Sequence, residues 1–124
     1  AVILDEPTAG QDLYGIELLH NIIAELHAQG KTVITITHDI EFAAENFQRI
    51  VVMAHRQILK DGTPEEVFAD EPVLNEAMLK GPCSGRLARR LNLHGEILTN
   101  EQFLDAFCRI YERGASNEVI NKEE

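Results

Sequence analysis

The stretch that most constrains the fold is the start of the chain, where an apolar run meets an acidic pair. Residues 1–4 (Ala-Val-Ile-Leu) lead directly into Asp5, Glu6 and Pro7. A short apolar run bounded by turn-forming residues is typical of a strand buried on both faces, as in a parallel sheet. Pro7 cannot donate to the hydrogen-bond ladder, so we expect the strand to end before it. The stretch therefore predicts an α/β fold with two carboxylates at the carboxyl end of a strand.

Carboxylates at that position favour a metal-assisted reaction. Open α/β sheets bind their ligands outside the carboxyl ends of the strands, and burying unpaired carboxylates elsewhere is costly. Because Mg²⁺ takes oxygen ligands, Asp5 could hold this ion directly or through water. Glu6 would point to the opposite face of the strand and could orient or deprotonate a water. The alternative is a strand that simply ends in two solvated acids.

Two stretches of the chain resemble motifs of a known family. Residues 4–12 are Leu-Asp-Glu-Pro-Thr-Ala-Gly-Gln-Asp and resemble the Walker B motif and D-loop of an ABC-type ATPase. Residues 33–39 are Val-Ile-Thr-Ile-Thr-His-Asp and resemble the switch strand of the family with its histidine. The two motifs stand in the order of the family and at its expected separation. The resemblance implies the fold of a P-loop nucleotide-binding domain.

The resemblance also implies roles for particular side chains. Asp5 would bind the Mg²⁺ ion that accompanies ATP. Asp12, in the D-loop, would belong to the nucleotide site and lie at the interface with a second ATPase domain. Glu6 and His38 would be catalytic, since Glu6 polarises the attacking water and His38 contacts the γ-phosphate. The implied cofactors are therefore ATP and Mg²⁺.

Composition and charge limit the remaining function classes. The chain has 124 residues, 44% of them apolar, which suffices for one globular domain with its own core. Its net charge of −10 argues against a basic nucleic-acid surface and against direct binding to anionic lipid. No apolar run approaches the ~20 residues of a membrane span. We therefore expect no nucleic-acid partner and no direct membrane insertion, and we expect Cys83 and Cys108 to be reduced core thiols.

Periodicity and capping residues predict the order strand, helix, strand, helix, hairpin, helix over residues 1–69. After the first strand the predicted elements are a helix over 13–29, a strand over 31–37, a helix opened by Asp39, a hairpin of strands 49–54 and 57–60, and a helix whose capping box joins Thr63 to Glu66. This order fits the carboxyl half of a P-loop nucleotide-binding domain.

The remainder of the chain is predicted to be helical. Residues 70–114 are typical of a small all-helical extension, and residues 115–124 of a disordered tail. The predicted helices of the extension are one over 72–80 ended by Gly81, one capped by Ser84, and one that starts with a capping box over 99–102 and ends at Gly114.

This extension resembles the carboxyl extension of energy-coupling-factor (ECF) ATPases. The matching features are Gly-Pro at 81–82, the Arg-rich helix 86–91, the segment 98–103 and, in the D-loop, Gln11. The resemblance implies the ATP-binding and ATP-hydrolysing subunit of an ABC-type importer for a vitamin or a metal ion. Its partners would be transmembrane transporter subunits and a second ABC ATPase domain. These partners would hold it peripherally at the cytoplasmic face of the cell membrane.

The sequence contains no P-loop ahead of Asp5, so nothing in it cradles the β- and γ-phosphates. We therefore expect the chain to be the carboxyl-terminal part of a longer ATPase. The full-length parent would be an ATPase, whereas the isolated fragment would be inactive and bind ATP weakly or not at all. We also expect exposed apolar surface where the missing half would pack.

Two other functions remain open. One is a non-transport ABC ATPase of the DNA-repair or translation type, which shares the Walker B motif and the switch histidine. Such chains usually carry coiled-coil arms or basic linkers, and the acidic tail here has neither. The other is a non-catalytic dimerisation or interaction module built on the helical tail.

Overall fold

The computed structural model describes residues 1–93 and 95–120, with side chains described up to residue 111 apart from position 94. Over these residues the chain forms four strands and six helices, in the order β1 (Val2–Asp5), α1 (Leu13–Ala28), β2 (Val33–Ile36), α2 (Ile40–Asn46), β3 (Ile50–Ala54), β4 (Gln57–Gly62), α3 (Pro64–Phe68), α4 (Glu71–Glu76), α5 (Cys83–Arg90) and α6 (Asn100–Ile120). In the described part, no helix is both long and apolar enough to span a membrane.

β1 and β2 form a parallel two-stranded sheet, joined by α1. Val2 pairs with Val33 at one end of the register, and Asp5 pairs with Ile36 at the other. The predicted parallel pairing is confirmed. Because parallel strands end at the same edge, the residues after Asp5 and after Ile36 are neighbours.

β1 is not buried on both faces, so that part of the prediction is wrong. Burial alternates along β1 and β2, with every second residue exposed. Ile3 is 67% exposed and Ile36 is 59% exposed. Such alternation belongs to a sheet with one covered face, and no described element covers the other face. The expected exposed apolar surface is present at this sheet.

β3 and β4 form the predicted antiparallel hairpin. His55 and Arg56 make its two-residue turn, and both have positive φ angles, 51° and 67°, as a type I′ turn requires. β4 extends to Gly62, beyond the predicted end at residue 60, because Gly62 still pairs with Ile50. The hairpin thus has the predicted turn and a longer second strand.

The main hydrophobic core lies where the hairpin meets α3 and α4. We call it the hairpin core, and its buried members are Val52, Val67, Phe68 and Leu74. The predicted capping box of α3 is confirmed, since the Thr63 hydroxyl accepts from the Glu66 amide and the Glu66 carboxylate accepts from the Thr63 amide. Leu74 belongs to α4, so the helical segment after residue 70 shares this core. The division between residues 1–69 and 70–114 stays a prediction.

α4 differs from the predicted helix over 72–80. It begins at Glu71, because Asp70 caps it by accepting a hydrogen bond from the amide of Val73. It ends at Glu76, and Met78 then takes a positive φ of 56°. A left-handed residue ends a helix, so the prediction placed the end too late.

Ser84 does not cap the next helix, which corrects a second prediction. α5 begins at Cys83 after Pro82, with no side-chain cap. The Ser84 hydroxyl is buried and instead donates to the Asn100 side chain at 2.7 Å. Ser84 therefore links α5 to the start of α6.

α6 begins with the predicted capping box, in which Thr99 and Gln102 exchange hydrogen bonds between side chain and amide. The helix continues past Gly114 to Ile120, so its predicted end is wrong; a single interior glycine costs only about 1 kcal/mol. Residues 121–124 lie outside the described residues, and the disorder of 115–124 stays a prediction.

Cys83 and Cys108 are free thiols, as predicted, but both are exposed rather than in the core. Cys83 is the first residue of α5, at the amino-terminal end of the helix. Cys108 lies in a stretch of α6 whose neighbouring side chains are also largely exposed. The core prediction failed because burial of a small side chain depends on the helix face it occupies.

Candidate functional site

The carboxyl edge of the parallel pair brings together the two predicted catalytic residues. The Glu6 carboxylate oxygen Oε2 lies 2.8 Å from His38 Nδ1. Glu6 directly follows β1, and one residue, Thr37, separates β2 from His38. The contact is therefore a consequence of the parallel register.

Glu6 lies beyond the strand in an unusual backbone conformation. β1 ends at Asp5, and Glu6 has a φ of 45°, in the left-handed region that non-glycine residues rarely adopt. Its amide donates to the carbonyl of Ile36 at 2.8 Å. The sequence predicted that Glu6 would alternate with Asp5 across the strand. This prediction is wrong, because the strand ends at Asp5. The turn directs its side chain toward His38 instead, and such strain is common at functional sites.

Glu6 and His38 stabilise each other's charged forms. The hydrogen bond with His38 holds the pKa of the Glu6 carboxyl below its ordinary value of 4.5. The same hydrogen bond raises the pKa of His38 above its ordinary value of 6.5. The His38 side chain is 83% exposed and that of Glu6 is 37% exposed, so water screens the pair. The contact favours an ionised Glu6 beside a protonated His38.

Thr37 is a third member of this cluster, although no sequence pattern singled it out as a site residue. Its hydroxyl donates to Glu6 Oε2 at 3.3 Å and accepts from the amide of Asp39 at 3.1 Å. Asp39 in turn caps α2, because its carboxylate accepts from the amide of Phe42. A hydroxyl residue next to a candidate histidine was the available sequence signal.

Asp5, the predicted metal ligand, is the last residue of β1 and is exposed. Mg²⁺ often takes one or two carboxylates and fills its remaining positions with water and phosphate oxygens. A single exposed carboxylate beside Glu6 fits that requirement. Among the side chains that the structure describes, no three His, Cys, Asp or Glu residues form a ligand cluster.

Asp12 caps α1, and no hydrogen bond joins it to Glu6 or His38 in the described structure. Its Oδ1 accepts from the amide of Gly15 at 2.8 Å. This contact satisfies one of the free amides at the start of α1. The predicted place of Asp12 at a dimer interface stays a prediction.

Curated ATP-binding proteins of transporters are similar to this chain. The energy-coupling factor transporter ATP-binding protein EcfA2 of Mycoplasmopsis synoviae is 36% identical, over 98% of this chain and 40% of that protein. The protein of the same name from Methanospirillum hungatei is 42% identical, over 76% of this chain and 24% of that protein. No family model matches the chain.

A solved structure supports the same assignment. CbiO1 from Clostridium perfringens, described as part of the ABC transporter complex cbiONQ, matches with a TM-score of 0.51 and 32% identity, over 73% of this chain and 35% of that chain. The chain spans less than half the length of each of these relatives. The predicted fold, the carboxyl half of a P-loop NTPase domain, is confirmed. The chain belongs to the ABC transporter ATP-binding proteins, with relatives of the energy-coupling-factor type, and corresponds to a carboxyl-terminal part of them.

Proposed function

We propose that this chain carries the water-activating half of the ATP-hydrolysis site in a subunit of an energy-coupling-factor importer for a vitamin or a metal ion. The observation that carries the proposal is the 2.8 Å contact between Glu6 Oε2 and His38 Nδ1. This contact lies at the carboxyl end of the parallel strands, where Asp5 is the last residue of β1. Open α/β sheets bind their ligands at such an edge.

Each side chain has a distinct task in the proposed reaction. Asp5 would hold Mg²⁺, which would neutralise charge on the phosphates. The ionised Glu6 orients the attacking water and accepts a hydrogen bond from it. The protonated His38 would meet the negative charge of the γ-phosphate. Catalysis would then consist of positioning and charge stabilisation, as in other phosphoryl transfers.

The site is completed by residues outside this chain. The P-loop motif does not occur in the sequence, and the chain spans 40% of the Mycoplasmopsis relative. We infer that the phosphate cradle lies in the part of the full-length protein that this chain does not match. On this proposal the chain alone binds ATP weakly and does not hydrolyse it.

The partners follow from the same proposal. A second ATPase domain would close on the nucleotide, with Asp12 at the interface, and transmembrane subunits would transmit the closure to the solute. The relative from Clostridium perfringens is itself described as part of a transporter complex. The subunit would thus be held at the cytoplasmic face of the membrane by its partners.

The deciding experiment replaces Glu6 by Gln in the full-length protein. Glu6→Gln keeps the size of the side chain but removes the charge that orients the water, so kcat for ATP hydrolysis should fall by roughly 10²- to 10⁴-fold. The Kd for ATP should stay within about threefold, because Glu6 is not assigned to nucleotide binding. Glu17→Gln, on an exposed position of α1, is the matched control and should hydrolyse normally. Near-normal hydrolysis by Glu6→Gln would refute the assignment.

A second candidate function has one specific observation in its favour. α6 exposes large apolar side chains, and Phe107, Ile110 and Tyr111 are all on its uncovered surface. Such a stripe is typical of an interaction surface and would suit a non-catalytic dimerisation module. If the full-length protein does not hydrolyse ATP, but sediments as a dimer that Ile110→Asp dissociates, this second function replaces the first.

A further inference from the structure

We propose that Thr37 is a positioning residue for the reaction: its hydroxyl fixes one oxygen of the Glu6 carboxylate, so that the other oxygen is available to the attacking water. The inference rests on the proposed function, because it concerns the same site. It adds a residue that acts through Glu6 rather than on the substrate.

The hydrogen bonds of Thr37 define the direction in which it donates. Its hydroxyl has one proton and accepts through its lone pairs. The amide of Asp39 donates to this oxygen at 3.1 Å, which leaves the hydroxyl proton for Glu6 Oε2 at 3.3 Å. Thr37 therefore connects Asp39, the residue that caps α2, to the carboxylate.

The two oxygens of Glu6 have different surroundings. Oε2 receives hydrogen bonds from both His38 and Thr37. Among the side chains that the structure describes, none donates a hydrogen bond to Oε1, and the backbone amide of His38 adds to the donors that face the carboxylate. A carboxylate held through one oxygen keeps the lone pairs of the other for a water. The geometry thus separates a structural oxygen from a reactive one.

His38 alone is a poor anchor for this purpose. Its side chain is 83% exposed, and an exposed side chain retains rotamer freedom that weakens its hold on a partner. Thr37 is half-buried and β-branched, and it is bonded to the backbone amide of Asp39, the cap residue of α2. β-Branched side chains are stiff at χ1. Thr37 supplies the fixed point, and His38 supplies the charge.

The test compares Thr37→Val with Thr37→Ser in the full-length protein. Valine keeps the shape and branching of threonine but cannot donate, so kcat should fall about tenfold while KM for ATP stays within about twofold. Serine keeps the hydroxyl and should restore kcat to within about threefold of the unchanged protein. A loss of alignment without a loss of nucleotide binding is what distinguishes positioning from a general structural role.

Thr35→Val is the matched control. Thr35 lies two residues earlier on β2, and its buried hydroxyl has no hydrogen-bond partner among the described residues. The same chemical change there removes no hydrogen bond, so kcat should be unaffected. Equal losses in Thr35→Val and Thr37→Val would mean that the strand is damaged, and would overturn the inference.

The remaining outcomes separate the inference from the function on which it rests. If Glu6→Gln abolishes hydrolysis and Thr37→Val hydrolyses normally, the inference fails and the proposed function stands. If Thr37→Val and Thr37→Ser lose the same activity, the hydroxyl is not the active group and the inference fails. If Glu6→Gln hydrolyses normally, the proposed function fails and Thr37 has no carboxylate to position.

Discussion

The hairpin core and the parallel pair, β1 with β2, are stabilised in different ways. The hairpin core buries Val67 completely and Phe68 almost completely, between a hairpin and two helices. The parallel pair leaves Ile3 and Ile36 more than half exposed. Packing therefore stabilises the hairpin core, whereas backbone pairing and hydrogen bonds hold the candidate site at the end of the parallel pair.

The residues that stabilise the fold by packing are therefore different from the residues of the candidate site. None of the candidate site residues belongs to the hairpin core. Their positions depend on the register of β1 and β2 and on the contacts among Glu6, Thr37 and His38. A change in the hairpin core should therefore affect folding first, and a change in the site should affect reactivity with little effect on folding.

The largest effect should come from Phe68→Ala. Removing a buried aromatic side chain leaves a cavity and should lower the free energy of unfolding by about 3–5 kcal/mol. Ile3→Ala, on the uncovered face of β1, should change it by less than about 0.5 kcal/mol. Urea unfolding followed by circular dichroism measures both. An equal loss of unfolding free energy in the two variants would show that the parallel pair is packed as tightly as the hairpin core, and would contradict the difference between the two regions.

An intermediate effect should come from Gly85→Ala on α5. A Cβ at Gly85 would lie 2.5 Å from the backbone carbonyl oxygen of Ile97, which cannot move aside as a flexible side chain would. The resulting shift between α5 and the segment before α6 should cost about 1–3 kcal/mol. Gly81→Ala is the control, because its Cβ would meet ordinary contacts at 3.7 Å. Thermal unfolding of the two variants checks the prediction, and matching midpoints would contradict it.

The smallest effect concerns pH and the ion pair between the hairpin and α4. Lys60 Nζ lies 2.9 Å from Asp70 Oδ2, and this hydrogen bond, followed by that from the Val73 amide, holds the pKa of Asp70 below its ordinary value of 3.8. A carboxyl whose pKa is lowered on folding stabilises the fold when the pH is above the pKa that the group has in the unfolded chain. That contribution should be lost as the pH falls from about 3.8 through the lower folded value.

Asp70→Asn removes this contribution at every pH. The difference in melting temperature between the unchanged chain and Asp70→Asn, present at pH 7, should therefore shrink as the pH is lowered below 3.8. The effect should be smaller than the two above, because both side chains are partly exposed to water. A difference that grows toward acid pH would contradict the direction of the shift.

Local signals predicted much of this structure. The hairpin with its turn at His55 and Arg56, and the capping boxes at Thr63 and Thr99, all appear where the sequence placed them. These features depend on residues within a few positions of one another. The ends of α4 and α6 were placed less well, because helix length also depends on what the helix packs against.

The candidate site was predictable in part. Glu6 and His38 were chosen from motifs, and their contact follows once β1 and β2 are parallel. Thr37 could not be identified from the sequence because its role depends on a hydrogen bond to Glu6, which is 31 residues away in the chain, as well as on the nearby amide of Asp39. Ser84 was misassigned for a similar reason, since its partner Asn100 is distant in sequence.

By itself the sequence determined the order of strands and helices, the hairpin turn and two capping boxes, and the family to which the chain belongs. Apolar periodicity, caps and motifs are local, so they can be recognised without knowing what packs where. The tertiary structure decided that β1 has one uncovered face, that Glu6 turns out of the strand to meet His38, and that Thr37 holds the same carboxylate. Those outcomes depend on contacts between segments distant in sequence, and pairing in space, rather than residue type, determines such contacts.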